Sequence, residues 1–426
     1  MLAIRRPGLL NPPVGTDSTA KRTGLRLWLP VAGAALAVGL SYLAIFSVPP
    51  LITVFVDDLG LSHAEAGALM SVCLAGFLVG SVLSGRLANR FGPAPVMVSG
   101  LVLCGVATLC FAFTTSLPVF LAWRLVIGLG GGLIYAPGVT LVTSLLPPAK
   151  ANVGVGVFLS GLSVGGTVAF FATPLLEERL DWRWPSWIFG AAVLAGALAV
   201  LALSGSASRE LGRAAAAVGG YRAVLANRTF RLLCAGLFAA LFVAYGVFTW
   251  IPPYLDEAAG FSTAQISLTS MSMTLAGIPA TFGIGWLADR TGRPLSVAGT
   301  ALALPLTLAV LALASGISFA GATVVAVLSA LGISGGLGPL YALPPAIVGA
   351  AAAATASGLA AAAAVAGGIA STYLGGYVIG ATDGYGLAFG IYTVAAGLAA
   401  LLFVPLIARS VRRAGRAGPA PTARAR

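Results

Sequence analysis

Apolar runs of about 20 residues, each long enough to cross roughly 30 Å of hydrocarbon, recur along this chain with short polar breaks between them. Measured against that length, the pattern predicts spanning helices near 27–50, 63–88, 94–114, 117–146, 151–174 and 187–204. A polar, arginine-bearing stretch at 205–229 follows. Six further runs then lie near 230–253, 263–288, 295–315, 319–346, 352–378 and 387–408. Backbone N–H and C=O groups in lipid must be paired within the segment, so these runs are helices rather than open strands. The expected fold class is an all-α membrane protein with twelve transmembrane helices in two pseudo-symmetric six-helix bundles, 27–204 and 230–408. A basic N-terminal tail (1–26), a central loop (205–229) and a basic C-terminal tail (409–426), read as disordered, complete the chain.

Composition strengthens that reading. Of 426 residues, 58% are hydrophobic and 8% charged, with mean hydropathy +0.99. Soluble domains carry about a quarter charged residues, so lipid has to solvate this surface. The 56 glycines suit close helix–helix approach in a bilayer.

The net charge of +12 is distributed in the gaps between apolar runs, which excludes a nucleic-acid patch and sets an orientation instead. With the N-terminus inside, the cytoplasmic side holds Arg5, Arg6, Lys21, Arg22, Arg26, Arg86, Arg90, Lys150, Arg209, Arg213, Arg222, Arg228, Arg231, Arg290, Arg293 and the C-terminal arginines. Only Arg124, Arg179 and Arg183 fall elsewhere. Asp57, Asp58, Glu65, Glu177, Glu178, Asp181, Asp256, Glu257 and Asp383 gather on the other side. The expectation is a multi-pass protein of the cytoplasmic membrane with both termini inside and its arginine-rich tails against anionic headgroups. The first apolar run lacks a clear small-residue cleavage site and reads as a retained span. Cys73, Cys104, Cys110 and Cys234 form no CxxC pair, and the chain has one histidine. That pattern points to no disulfide framework, metal or cofactor.

The two halves repeat at about 200 residues. Tyr42, Pro49 and Pro50 recur as Tyr245, Pro252 and Pro253, and Gly60 and Ser62 as Gly260 and Ser262. Gly85-Arg-Leu-Ala-Asn89-Arg90-Phe-Gly92 recurs as Gly285-Trp-Leu-Ala-Asp289-Arg290-Thr-Gly292. Leu146-Pro147-Pro148 matches Leu343-Pro344-Pro345, and Gly156, Gly165 and Gly166 match Gly358, Gly367 and Gly368. Two parallel six-helix halves around a midplane site are the architecture of many secondary transporters.

With this repeat the chain resembles the major facilitator superfamily over nearly its whole length. The loop after the second span is similar to the family signature G-x-L-[AS]-D-R-x-G-[RK] at Gly85, Leu87, Ala88, Arg90 and Gly92, departing at Asn89 and Pro93. The second copy fits at Gly285, Leu287, Ala288, Asp289, Arg290, Gly292 and Arg293. The resemblance implies a cytoplasmic latch that closes in the outward-open state. A carboxylate near a helix N-terminus gains about 0.3–1 kcal/mol from the dipole, so Asp289 is expected to dominate over Asn89. A tight basic turn that only fixes topology is the alternative.

Arg124 lies inside the fourth span, where a cation defaults to a functional role. Arg124-Leu-Val-Ile-Gly128-Leu-Gly130 is similar to the family's R-x-x-x-G-x-G motif, associated there with coupling. No carboxylate occupies the middle of any span, so Arg124 either attracts an anionic solute or bonds backbone carbonyls, bonds a tyrosine or snorkels. The same absence favours uniport, exchange or coupling through the solute's own charge over proton symport. His63 reads as a solvated residue at a helix start. Gly161-Leu-Ser-Val-Gly165-Gly166 resembles the family's G-P-x-x-G-G antiporter motif with leucine in place of proline; small-residue packing, with Gly128, Gly367 and Gly368, explains the glycines equally. Tyr42, Tyr135, Tyr245 and Tyr341 occupy paired positions in spans one, four, seven and ten, which line the cavity in this family, and either contact solute or pack helices. Trp182, Trp184 and Trp187 read as interface anchors.

The function expected is secondary transport of a small solute, an organic or inorganic anion, by a monomer working through alternating access. The Pro-Pro end of span one and the Asp181-Trp182-Arg183 loop resemble the cyanate, nitroimidazole and nitrate/nitrite porter branches. The second half lacks an intramembrane arginine, which disfavours nitrate itself. Drug or metabolite efflux is the alternative within the fold, and a nontransporting sensor or scaffold the alternative outside it. No nucleophile–base pair, metal cluster or phosphate loop points to an enzyme.

Overall fold

The computed structural model describes residues 24–208, 221–291, 317–341, 343–348 and 352–416. All regular structure among them is helical. The first half contains α1 (Gly24–Ile45), a short 3-10 turn Pro49–Leu51, α2 (Ile52–Asp57), α3 (His63–Phe91), α4 (Pro93–Phe111), α5 (Leu117–Leu145), α6 (Pro148–Arg179) and α7 (Arg183–Ser208). The second contains α8 (Tyr221–Ala226), α9 (Arg228–Pro253) with a π turn Tyr254–Ala258, α10 (Thr263–Thr291), α11 (Phe319–Tyr341), α12 (Leu343–Val348), α13 (Ala353–Thr382) and α14 (Gly386–Arg416). Among the described residues nine helices are long and apolar enough to cross a membrane, and the protein is a multi-pass membrane protein. The expected run at 295–315 lies outside the described residues, as do residues 1–23, 209–220 and 417–426.

Several boundaries differ from the expected ones. The final helix continues to Arg416, past the expected end at 408; the alanine and arginines there are strong helix formers. Within 205–229, α7 runs on to Ser208 and α8 adds a turn, before Asn227 caps α9 by accepting from the Thr229 and Phe230 N–H groups. The first span is broken. Pro49 and Pro50 carry no N–H, and α1 ends at Ile45 before the chain resumes as α2.

The repeat shows in hydrogen bonds as well as in letters. Gly60 and Gly260 both take positive φ, 66° and 63°, a conformation glycine adopts without steric cost. At each turn the next residue's N–H reaches back in the same way: Leu61 to the Phe55 carbonyl at 3.1 Å, Phe261 to the Leu255 carbonyl at 3.0 Å. Ser62 and Glu65 then form a capping box on α3. Ser262 and Gln265 repeat half of it on α10, the Ser262 N–H donating to Gln265 Oε1 at 3.1 Å.

Helix pairings follow the same duplication. In the first half α1 packs on α6 and α7, and α3 on α5; in the second α9 packs on α13 and α14, and α10 on α11. Glycines make these approaches possible. A Cβ on Gly128 would overlap the Cys73 carbonyl, on Gly161 the Ala35 carbonyl, on Gly165 the Gly39 carbonyl and on Gly367 the Phe238 carbonyl. Exposed apolar side chains form stripes on outer helix faces, including Val102 with Val106, Val164 with Val168, and Val394 with Leu398. Lipid is the solvent that suits them. Trp182 is not an interface anchor: it is 5% exposed and packs with Phe55, Phe111 and Phe120. It stands just ahead of α7 and so turns inward, whereas Trp184 on the helix is exposed.

Gly165→Ala is expected to lower the thermal midpoint in detergent, because the backbone of α1 has to move away. Gly358→Ala, which meets nothing within 4 Å, is expected to leave the midpoint unchanged or raise it through helix propensity worth about 0.5–1 kcal/mol. Thermal-shift measurements on the two variants check this.

Candidate functional site

The halves meet along two seams, α3 against α13 and α6 against α10, and the repeat relates one seam to the other. A Cβ on Gly166 would lie 3.6 Å from Thr274 Cγ2. At the equivalent place in the other seam, a Cβ on Gly368 would lie 3.1 Å from Leu74 Cδ1. Hydroxyls reinforce both seams: Ser71 and Thr372 share a 2.6 Å hydrogen bond, and Thr167 donates to Thr274 at 3.1 Å. Ser71 also donates to the Ile369 carbonyl at 2.9 Å, and the Trp250 indole N–H to the Thr372 carbonyl at 3.2 Å.

Between the seams stands an aromatic layer. Tyr42 and Tyr245, equivalent residues of the repeat, are both buried, and their side chains interact across the halves. Phe46 packs against Phe170, Tyr245 and Phe248 at centroid distances of 5.5, 6.4 and 5.8 Å, and Phe77 meets Tyr42 edge-on at 6.4 Å. Two of the four expected tyrosines therefore come together across the halves. Tyr135 is half-buried and packs instead on Phe158 of α6 at 5.9 Å. The Tyr341 side chain lies outside the described residues.

Arg124 sits beside this layer, 0% exposed. Its Nε–H donates to the Leu69 carbonyl at 3.1 Å. The guanidinium reaches the Ala44 and Ile45 carbonyls at 3.4 and 3.0 Å and Met70 Sδ at 3.3 Å. Pro49 explains why the Ile45 carbonyl accepts: the residue four positions on has no N–H to give it; the Ala44 carbonyl also accepts from the Ser47 hydroxyl at 2.9 Å. Arg124 thus caps the C-terminal end of α1 from another helix, where a cation also meets the negative end of the helix dipole. Among the described residues no carboxylate lies within ion-pair distance of it.

Of the expected latch, Gly85, Asn89 and Arg90 are exposed, Gly92 joins α3 to α4 at φ 89°, and Arg90 lies 5.1 Å over the Phe91 ring. Gly285, Asp289 and Arg290 belong to the last turns of α10, with their side chains outside the described residues; Gly292 and Arg293 lie outside them altogether.

At the end of the bundle where the acids gather, three residues meet that were not expected to. His63 Nε2 lies 3.1 Å from Glu257 Oε2, and the Tyr385 hydroxyl donates to the same oxygen at 2.8 Å. His63 belongs to the first half and Glu257 to the second, so His63 is not simply a solvated helix start. Burial, with the Glu257 carboxylate beside it, pushes the Tyr385 hydroxyl above the ordinary phenol range, which keeps it a donor. One signal for this cluster is present in the sequence. His63 is replaced by Thr263 in the repeat, and such a departure marks a residue used by one half only.

The Major Facilitator Superfamily sequence profile matches residues 34–372. The chain belongs to this superfamily. It is 27% identical over 282 residues to the niacin transporter NiaP of Acinetobacter baylyi, 58% of this chain and 64% of that protein. It is 31% identical over 281 residues to the chloramphenicol resistance protein of Streptomyces lividans, 64% and 70% of the two chains. A probable sulfoacetate transporter of Cupriavidus necator, SauU, is 27% identical over 377 residues, 82% and 87%. The matched stretch spans less than two thirds of the length of the Acinetobacter relative. A solved bacterial homologue of the lysosomal transporter Spinster, inward-facing and unoccupied, superposes with TM-score 0.75 at 16% identity, covering 92% of this chain and 99% of that one. The major facilitator fold is thereby shown for all but a small part of the protein.

Within that fold the Arg124 contacts have a stability consequence. Arg124→Leu leaves the Ile45 carbonyl without this donor in a buried place, at a cost of about 1–3 kcal/mol, whereas the Ala44 carbonyl keeps the Ser47 hydroxyl at 2.9 Å. A fall in thermal midpoint larger than that of Arg124→Lys is the expected result in a detergent thermal-shift assay.

Proposed function

We propose that this protein is a secondary transporter that carries a small organic anion by alternating access, its halves 27–204 and 230–408 rocking about the Tyr42–Tyr245 layer. The observation that carries the reading is a buried arginine, held by carbonyls rather than by an acid, one helical turn from a tyrosine pair formed across the two halves. A cation whose charge is not cancelled by a carboxylate gives its low-dielectric surroundings a positive potential, which lowers the cost of bringing an anion to the tyrosines. The relatives point the same way, since niacin and sulfoacetate are both small carboxylates. Cation placement puts the basic end inside. The tightened seams near His63 and Glu257 then correspond to an outer face that is closed.

A second reading, export of an uncharged amphiphile, rests on the similarity to the Streptomyces lividans protein. Proteoliposome exchange separates them. Labelled nicotinate or sulfoacetate is expected to enter saturably and faster when the same anion is trapped inside. Arg124→Gln is expected to reduce that flux at least tenfold, equivalent to about 1.4 kcal/mol, and Arg124→Lys to retain more of it because the charge survives. Chloramphenicol export unaffected by Arg124→Gln, with no saturable flux of either anion or of a small-carboxylate panel, overturns the anion reading.

A further inference from the structure

His63 is the chain's single histidine, and its contact with Glu257 is, among the described residues, the ion pair that joins the two halves; the other ion pair, Arg183 with Asp181, is local. The hydroxyl bonds that close the seams are neutral and indifferent to pH. The His63–Glu257 contact is a charge pair only when the imidazole holds a proton.

Its surroundings make that proton matter. Besides Glu257 itself, Asp57 from α2 of the first half and Asp256 and Asp383 of the second are near enough to act electrostatically on His63 or Tyr385. Glu65, on the first turn of α3, is occupied by the Ser62 N–H and hydroxyl, and Tyr254 packs on Tyr385 at 5.7 Å. On the α13 face Gly376 lies against the His63 carbonyl and Gly380 against its Cβ, while the phenols of that helix, Tyr373 and Tyr377, are exposed. Carboxylates thus stand on both sides of a tight interface, and protonated His63 is the cation between them. Once neutral, the halves confront each other with like charge, and repulsion replaces attraction.

We propose that His63 and Glu257, braced by Tyr385, form a proton-binding lock that holds this end of the transporter closed when His63 is protonated and releases it when the proton leaves. The proposal rests on the alternating-access reading above. Side-chain exposures of 21% and 30% leave the pair reachable from the compartment this end faces, even when closed. Trp250 lies beneath it, its ring 6.2 Å from that of His63, and the Tyr42–Tyr245 layer lies deeper. The proton is therefore exchanged with one side only. The lock senses that compartment's pH and does not carry protons across. By linkage, the closed end holds the proton more tightly than the open end, so acid favours closure and alkali favours opening.

Spin labels at the exposed positions Thr115→Cys and Ala381→Cys, one on each half at this end, test the lock in lipid nanodiscs with Cys110 and Cys234 replaced by alanine. The distance distribution is measured between pH 5 and 9 without added solute. The short-distance population is expected to fall at least threefold with rising pH, within the range where imidazoles titrate. His63→Gln is expected to abolish the step, and His63→Lys to hold the short distance across the whole range. Ser71→Ala is expected to lower the short-distance population at every pH while keeping the step. No step in the parent protein, or a step that persists in His63→Gln, overturns the proposal. Because the readout needs no solute, a protein that moves no anion yet shows the step refutes only the transport reading, and anion exchange without the step refutes only the lock.

Discussion

A backbone carbonyl inside a membrane protein has no water to turn to, and much of this structure follows from one such carbonyl. Pro49 removes the N–H that would have closed the last turn of α1 on Ile45. Arg124 of α5 supplies the missing donors, and in doing so ties three helices together through Ala44, Ile45 and Leu69. The charge remains uncancelled by any carboxylate among the described residues. A single guanidinium thus ends a helix, fixes the packing of the first half, and places positive potential beside the Tyr42–Tyr245 pair. The equivalent prolines in the second half act differently: α9 runs on to Pro253 and widens into a π turn that presents Asp256 and Glu257. The same dipeptide creates a place for a cation in one half and a carboxylate contact in the other.

Joining the halves requires strength without permanence. Glycine against backbone, as at Gly376 with His63 and Gly67 with Thr372, allows helices to approach closely without interdigitating large side chains. Hydroxyl pairs such as Ser71–Thr372 add direction at modest energy, about 0.5–1.5 kcal/mol each. Contacts of this kind can be broken along a seam and re-formed, as a rocking motion needs. Against them the His63–Glu257–Tyr385 cluster is distinct in chemistry. It is charged, it is set among acids, and its strength depends on conditions outside the protein.

The function inherits its logic from this division. In the function proposed above, the symmetry-related seams are the two faces that close in turn, and the features outside the repeat, Arg124 and His63, are assigned selectivity of charge and a bias in the resting state. Neither feature has a counterpart at the equivalent position of the other half.

What the chain determines by itself is whatever depends on local hydrocarbon length and spacing. The duplication, with Gly60 and Ser62 matched to Gly260 and Ser262, was readable from the letters alone; the turns and caps those residues make were not. The apolar runs were readable because lipid enforces them segment by segment. Arg124 was identifiable as unusual for the same reason, since a cation among apolar residues stands out. Its partners were not: carbonyls are present at every residue, and only the packing of α1, α3 and α5 decides which ones come within 3 Å. The inward turn of Trp182 depended likewise on Phe55, Phe111 and Phe120 arriving from other helices. His63 and Glu257 lie 194 positions apart. Their contact exists only because two bundles close against each other, a rigid-body fact that no local pattern records.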